Sequence, residues 1–100
     1  MSRQLLWLDY ARDDLDAIHH YYSLESSAGI ASKLLMRIIE SAELLIAHPQ
    51  IGHPCEDHEI LEWHVPNTDY TLPYIVTPEH IQILRVFHEK QMRPSSWEAD

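Results

Sequence analysis

The side chains best suited to chemistry in this chain gather near its C-terminal end. Arg85 sits in the apolar run Ile81-Gln82-Ile83-Leu84-Arg85-Val86-Phe87, His88 follows directly, and Arg93 lies just beyond. An imidazole such as His88 is matched to proton transfer near neutral pH, and guanidinium groups stabilise charge developing on a phosphoryl group. A plainer reading competes with this one. A strand arginine commonly pairs with a carboxylate, and a histidine at a strand end need not act on anything. Tyr70 and Tyr74 read as sheet-face aromatics rather than as acids.

His48, His53, Cys55, His58 and His64 invite a metal reading, because imidazole and thiolate ligate zinc. Their spacing argues against it, since no CxxC or HxxxH pair occurs and the adjacent His19 and His20 face different sides of a helix. No metal is expected. Cys55 has only scattered histidines around it to activate a nucleophile. As the single cysteine it cannot close an internal disulfide, which is consistent with a reducing cytoplasm. With Gly29 and Gly52 as the only glycines there is no phosphate-cradling loop, and no cofactor is expected.

Charge narrows the partners. Seven Lys+Arg against sixteen Asp+Glu give a formal net charge of −9, the reverse of a phosphate-binding footprint, so direct nucleic-acid binding by the chain alone is not expected. No run approaches the roughly 20 apolar residues that span a bilayer, and the first apolar cluster, Leu5-Leu6-Trp7-Leu8, is too short for a signal peptide. A hundred residues, 45% of them hydrophobic, suit one domain with one core. Residues 1–94 are expected to form it, with 95–100 as a short tail in which Trp97 either packs back or meets a partner.

The element that must position Arg85 and His88 is a β-hairpin in the middle of the sheet. Tyr70, Leu72, Tyr74 and Val76 share one side of its first strand, and Thr77-Pro78-Glu79-His80 makes the connection. Ile81, Ile83 and Phe87 are expected on one side of its second strand, which closes on Arg85 and His88 on opposite faces. Pro73 lacks a ladder donor and predicts an irregularity. Upstream, a first strand over Arg3–Leu8 leads into a helix over Tyr10–Leu24 with Asp9 as N-cap. Ala11, Leu15, Ile18 and Tyr22 recur at helical spacing on its inner face. A second helix over Ala28–His48 carries a longer stripe, Ala31, Leu35, Ile38, Ala42 and Leu45, and the two should pack as an antiparallel pair on the sheet. Gln50–Glu59 reads as a loop, Glu62–Val65 as a strand and Pro66–Asp69 as a turn. The order is β-α-α-β-β-β, an α+β fold with an antiparallel sheet and the helical hairpin on one face.

That order, with Trp7 before a helix bearing Ala11 and Asp14-Leu15, His48-Pro49 followed by Gly52, Pro66-Asn67-Thr68-Asp69-Tyr70, and Ile83-Leu84-Arg85-Val86-Phe87-His88, resembles the RelE/ParE superfamily of type II toxins, on its ParE-like, plasmid-stabilisation side. The resemblance covers about residues 4–94. It implies a cytoplasmic toxin neutralised by a cognate antitoxin and acting by protein binding, with DNA gyrase as target. RelE-like relatives instead cleave messenger RNA on the ribosome, in which case Arg85, His88 and Arg93 would carry the chemistry. Two strand positions where such relatives hold cations are Leu61 and Ile75 here, which weighs against that alternative. A third alternative is an inactive homologue serving as an interaction module. Antitoxin contacts are expected on exposed apolars of the helix pair and sheet edge, Leu24, Ile30 and Leu34 with Trp63 nearby. Target contacts are expected at Arg85, His88, Arg93 and Trp97.

Overall fold

The computed structural model describes residues 2–56 and 59–90, so Arg93, Trp97, His58 and the 95–100 tail lie outside the described residues. The chain runs β1 (Gln4–Trp7), α1 (Asp9–Glu25), α2 (Ala28–Ala47), β2 (His53–Pro54), β3 (Leu61–His64), β4 (Tyr70–Val76), β5 (His80–Ile83) and β6 (Phe87–His88). The helical hairpin packs on one face of the sheet, as the periodicity requires. Ala11 and Ile18 of α1 and Ile38, Ala42 and Leu45 of α2 are buried against Leu72, Tyr74, Ile81 and Ile83. Truncating one of the large members, such as Ile38, would cost about 2–5 kcal/mol. Among the described residues no helix is long and apolar enough to cross a membrane.

Asp9 is not the N-cap. The Leu8 N–H is still held by the Ile83 carbonyl at 3.0 Å, so Leu8 is the last extended residue and the helix begins at Asp9 itself. The carboxylate keeps a favourable place in the first turn without making a cap hydrogen bond. Ser27 does cap α2, its hydroxyl accepting the Ile30 N–H at 3.1 Å.

The sheet has the order β1-β5-β4-β3-β2 with β6 also on β4, so the hairpin strands do occupy its middle. It is mixed rather than wholly antiparallel, because β1 runs parallel to β5. The stretch expected as a loop over 50–59 contains β2, which pairs with Glu62 and Leu61.

The second hairpin strand is broken in two. Tyr74 faces Ile83 in β5, whereas Tyr70 faces His88 in β6, so one extra residue is accommodated between the pairs. Pro73 explains the break. Its carbonyl accepts the Leu84 N–H at 2.9 Å, but the reciprocal bond to the Leu84 carbonyl cannot form because proline has no donor. The chain bulges there, and a bulge shifts the alternation of faces by one residue. Phe87 therefore leaves the side shared by Ile81 and Ile83 and joins Ile60 and Leu84 in a second cluster on the opposite face, while Val86 joins the main core. Arg85 and His88, expected on opposite faces, both turn toward the helices.

Candidate functional site

Arg85 stands at this bulge, on the helix-facing side that it shares with Ile83. Its guanidinium grips Asp14 of α1 in a two-pronged pair, Nε to Oδ2 at 2.8 Å and Nη2 to Oδ1 at 3.0 Å. The Val86 N–H donates to the same Asp14 oxygen at 2.9 Å, and the Tyr10 ring lies 5.6 Å from the guanidinium carbon. Hydrogen bonding to Asp14 raises the Arg85 pKa further, against the opposing effect of burial. Paired carboxylate-to-guanidinium bonds of this kind are geometrically specific. Arg85 thus braces α1 against the irregular strand.

His88 faces a different environment. Paired with Tyr70 across the ladder, it meets that ring edge-on at 5.0 Å. Its Nε2 lies 3.9 Å from Asp69 and its Nδ1 accepts the Lys90 N–H at 3.1 Å. Burial, reinforced by a hydrogen bond with the Tyr22 hydroxyl, pushes the Tyr70 phenol well above its ordinary pKa.

Tyr22, Asp69, Tyr70 and His88 form a shared wall between two hollows. One, about 550 Å³, opens toward Asp14 and Tyr21 of α1, with Val86 and Lys90. The other, about 360 Å³, opens toward Ile30, Lys33, Leu34 and Arg37 of α2. A third, about 840 Å³, adjoins the second through Lys33, Arg37 and Asn67 and reaches Met36, Leu44 and Pro66. Together they make a trough around the turn between β3 and β4. That turn is shaped by Asn67 at φ 62°, a left-handed conformation that asparagine tolerates, and by Thr68, whose hydroxyl donates to the Val65 carbonyl at 2.9 Å and accepts the Tyr70 N–H at 3.1 Å.

The structure brings some of the expected residues together and separates others. Ile30, Leu34 and His88 line one hollow. Leu24 is 73% exposed at the end of α1. Leu34 and Trp63 are partly buried against the core rather than free surface apolars, and Trp63 spends its indole N–H on Ser41 of α2 at 2.8 Å. Ile75 falls in the apolar cluster of the open face and Leu61 in the main core, so both replace cations with packing. Among the described residues no three His, Cys, Asp or Glu side chains are placed to hold a metal ion; Cys55 donates to Glu62 at 3.1 Å. The sequence reading passed over Lys33 and Arg37, whose signal was two cations one turn apart on the polar flank of α2 in an acidic chain.

The fold and site define a small α+β domain whose strand arginine serves its own framework and whose polar trough runs beside a helical hairpin. The chain belongs to a family described as the ParE toxin of type II toxin-antitoxin system, parDE, matched over residues 5–93. It is similar to a solved structure described as the chromosomal ParDE TA system from P. aeruginosa, with a TM-score of 0.78 and 28% identity over 86% of this chain and 95% of that one. Among curated proteins none matches significantly.

Proposed function

We propose that the chain is the toxin of a ParDE-type pair in the cytoplasm, neutralised by a cognate antitoxin and acting by binding DNA gyrase. The observation that carries the choice of mechanism is the commitment of Arg85. A guanidinium held by both carboxylate oxygens of Asp14 is poorly placed to stabilise a phosphoryl transition state, and the strand positions Leu61 and Ile75 offer no substitute. A surface that binds a protein target needs no such cation. Family membership supports the toxin reading, and the ParDE neighbour supports an antitoxin as partner.

Expression of the chain alone and together with its neighbouring reading frame tests this. Growth arrest relieved by the neighbour, with plasmid supercoiling lost and messengers intact, is the expected result. Cleaved messengers with normal supercoiling would make the protein a ribosome-dependent nuclease instead, and an absence of growth arrest would overturn both toxic readings.

A further inference from the structure

We propose that the trough beside the β3–β4 turn seats an acidic, amphipathic helical segment of the antitoxin, recognised through Lys33, Arg37 and Lys90. This rests on the neutralisation reading above and adds the chemistry of the segment and the residues that select it.

The distribution of cations carries the argument. The chain has seven Lys+Arg, of which all but Arg93 are among the described residues. Outside the trough, Arg3 donates to the Thr77 carbonyl, Arg12 pairs with Asp9 and Arg85 is gripped by Asp14. The three in the trough, Lys33, Arg37 and Lys90, make no side-chain ion pair with a described residue. Lys33 and Arg37 stand at i and i+4 on α2, where like charges repel and destabilise an isolated helix. The domain's own carboxylates compensate them only in part: Asp14 is engaged by Arg85, Asp69 faces His88, and Glu40 borders the same hollow one turn beyond Arg37 without closing an ion pair with it.

Apolar surface flanks these cations. Ile30, Met36 and Leu44 are 52%, 53% and 48% exposed on the same helix. Ile30, Lys33, Arg37, Glu40 and Leu44 alternate by three and four residues, which places them along one flank. From Ile30 to Leu44 that flank is about 21 Å long, the length of a helix of about four turns. A partner helix laid there meets apolar surface at both ends and, between them, the two cations Lys33 and Arg37 with a single carboxylate, Glu40. The net charge of −9 does not forbid an acidic guest, because the Debye length of about 8 Å at physiological salt makes the local cations decisive.

The test uses a fluorescein-labelled amphipathic peptide of about four turns, leucines on one face and glutamates on the other, and a twin with lysine for every glutamate. Anisotropy is read for the whole chain, for Lys33→Glu/Arg37→Glu, for the milder Lys33→Met/Arg37→Met, and for Arg12→Glu as a charge change outside the trough, with circular dichroism checking each fold. The unaltered chain should prefer the acidic peptide about tenfold, as expected of a few exposed charge pairs acting together. The methionine variant should lose most of the preference, the glutamate variant should invert it, and Arg12→Glu should keep it. Equal binding of both peptides, binding of neither, or a preference untouched in both double variants would overturn the inference. Growth arrest rescued by the neighbouring frame, without any acidic preference, sinks this inference alone. An acidic preference without growth arrest removes the toxin reading and leaves the docking chemistry standing.

Discussion

Tyr70 and Tyr74 stand on the same strand and the same face, yet the two ends of β4 do opposite work. At the Tyr74 end the loop after α2 folds down over the sheet. The Tyr74 hydroxyl donates to the Pro49 carbonyl at 2.8 Å and accepts the Gly52 N–H at 3.0 Å, and the side chain is wholly buried. At the Tyr70 end no such loop descends among the described residues; the hydroxyl meets Tyr22, and the ring becomes a wall of two hollows. Residue type and register are alike at both ends. What lies opposite decides whether a buried tyrosine closes the core or borders a binding surface.

The sharpest way to break this contrast is Gly52→Ala. A Cβ there would lie 2.7 Å from the Tyr74 ring carbon and hydroxyl and 2.9 Å from the Glu62 carbonyl, distances that side chains do not adopt. The expected loss is about 2–3 kcal/mol in urea unfolding, from overpacking at a site with backbone on one side. A neutral Gly52→Ala would mean that the closed end is as loose as the open one. Tyr74→Phe comes next, at about 2 kcal/mol, since it leaves the Gly52 N–H and the Pro49 carbonyl without their partner. In the double variant the combined cost should fall short of the sum of the two, because removing the hydroxyl relieves one of the three close contacts of the new methyl group.

How much of this was legible follows from where the determinants lie. The helical stripes placed Ala11, Ile18, Ile38, Ala42 and Leu45 correctly, because core contacts repeat with the helix period. Pro73 announced an irregularity, but its own strand β4 runs unbroken and the break falls in the strand opposite. Its consequence was not legible, because a one-residue shift reassigns every face beyond it, and the position of the shift depends on which carbonyl loses its donor. Phe87 and His88 were misplaced for that one reason. The partner of Arg85 was hidden by its distance in sequence: Asp14 is 71 residues away, and nothing local distinguishes it from Asp13 or Asp16. The trough was invisible for a related reason, being assembled from α1, α2, a turn and β6.

Asp14→Asn sharpens the contrast from the Arg85 side. It removes the charge that holds the guanidinium and weakens the bond to the Val86 N–H, so the bulge loses its tie to α1. Because the Arg85 side chain is 42% exposed and screened by water, the cost should be about 1–2 kcal/mol, less than at Gly52. Stability and peptide binding should be measured together. If the brace only supports the fold, the acidic preference of the trough survives in the folded fraction; its disappearance would make Asp14 and Arg85 part of the recognition surface.

Tyr70→Phe should have the smallest effect at neutral pH, below about 1 kcal/mol, since one hydroxyl is lost beside open hollows. Its larger signature is alkaline. Both Tyr70 and Tyr74 are held by burial above the ordinary phenol value of about 10, so the unfolded chain gives up these protons first as the pH rises. The unfolded state then binds fewer protons than the folded one, and stability, fully present below about pH 10, declines above it. Urea midpoints followed from about pH 8 to about pH 11 should fall for the unaltered chain and fall less steeply for Tyr70→Phe, with Tyr74→Phe removing the other share. Identical slopes for the unaltered chain and Tyr70→Phe would mean that the Tyr70 hydroxyl is as well hydrated in the fold as outside it, and the open end of β4 would then be more open than its packing against Tyr22 and His88 implies.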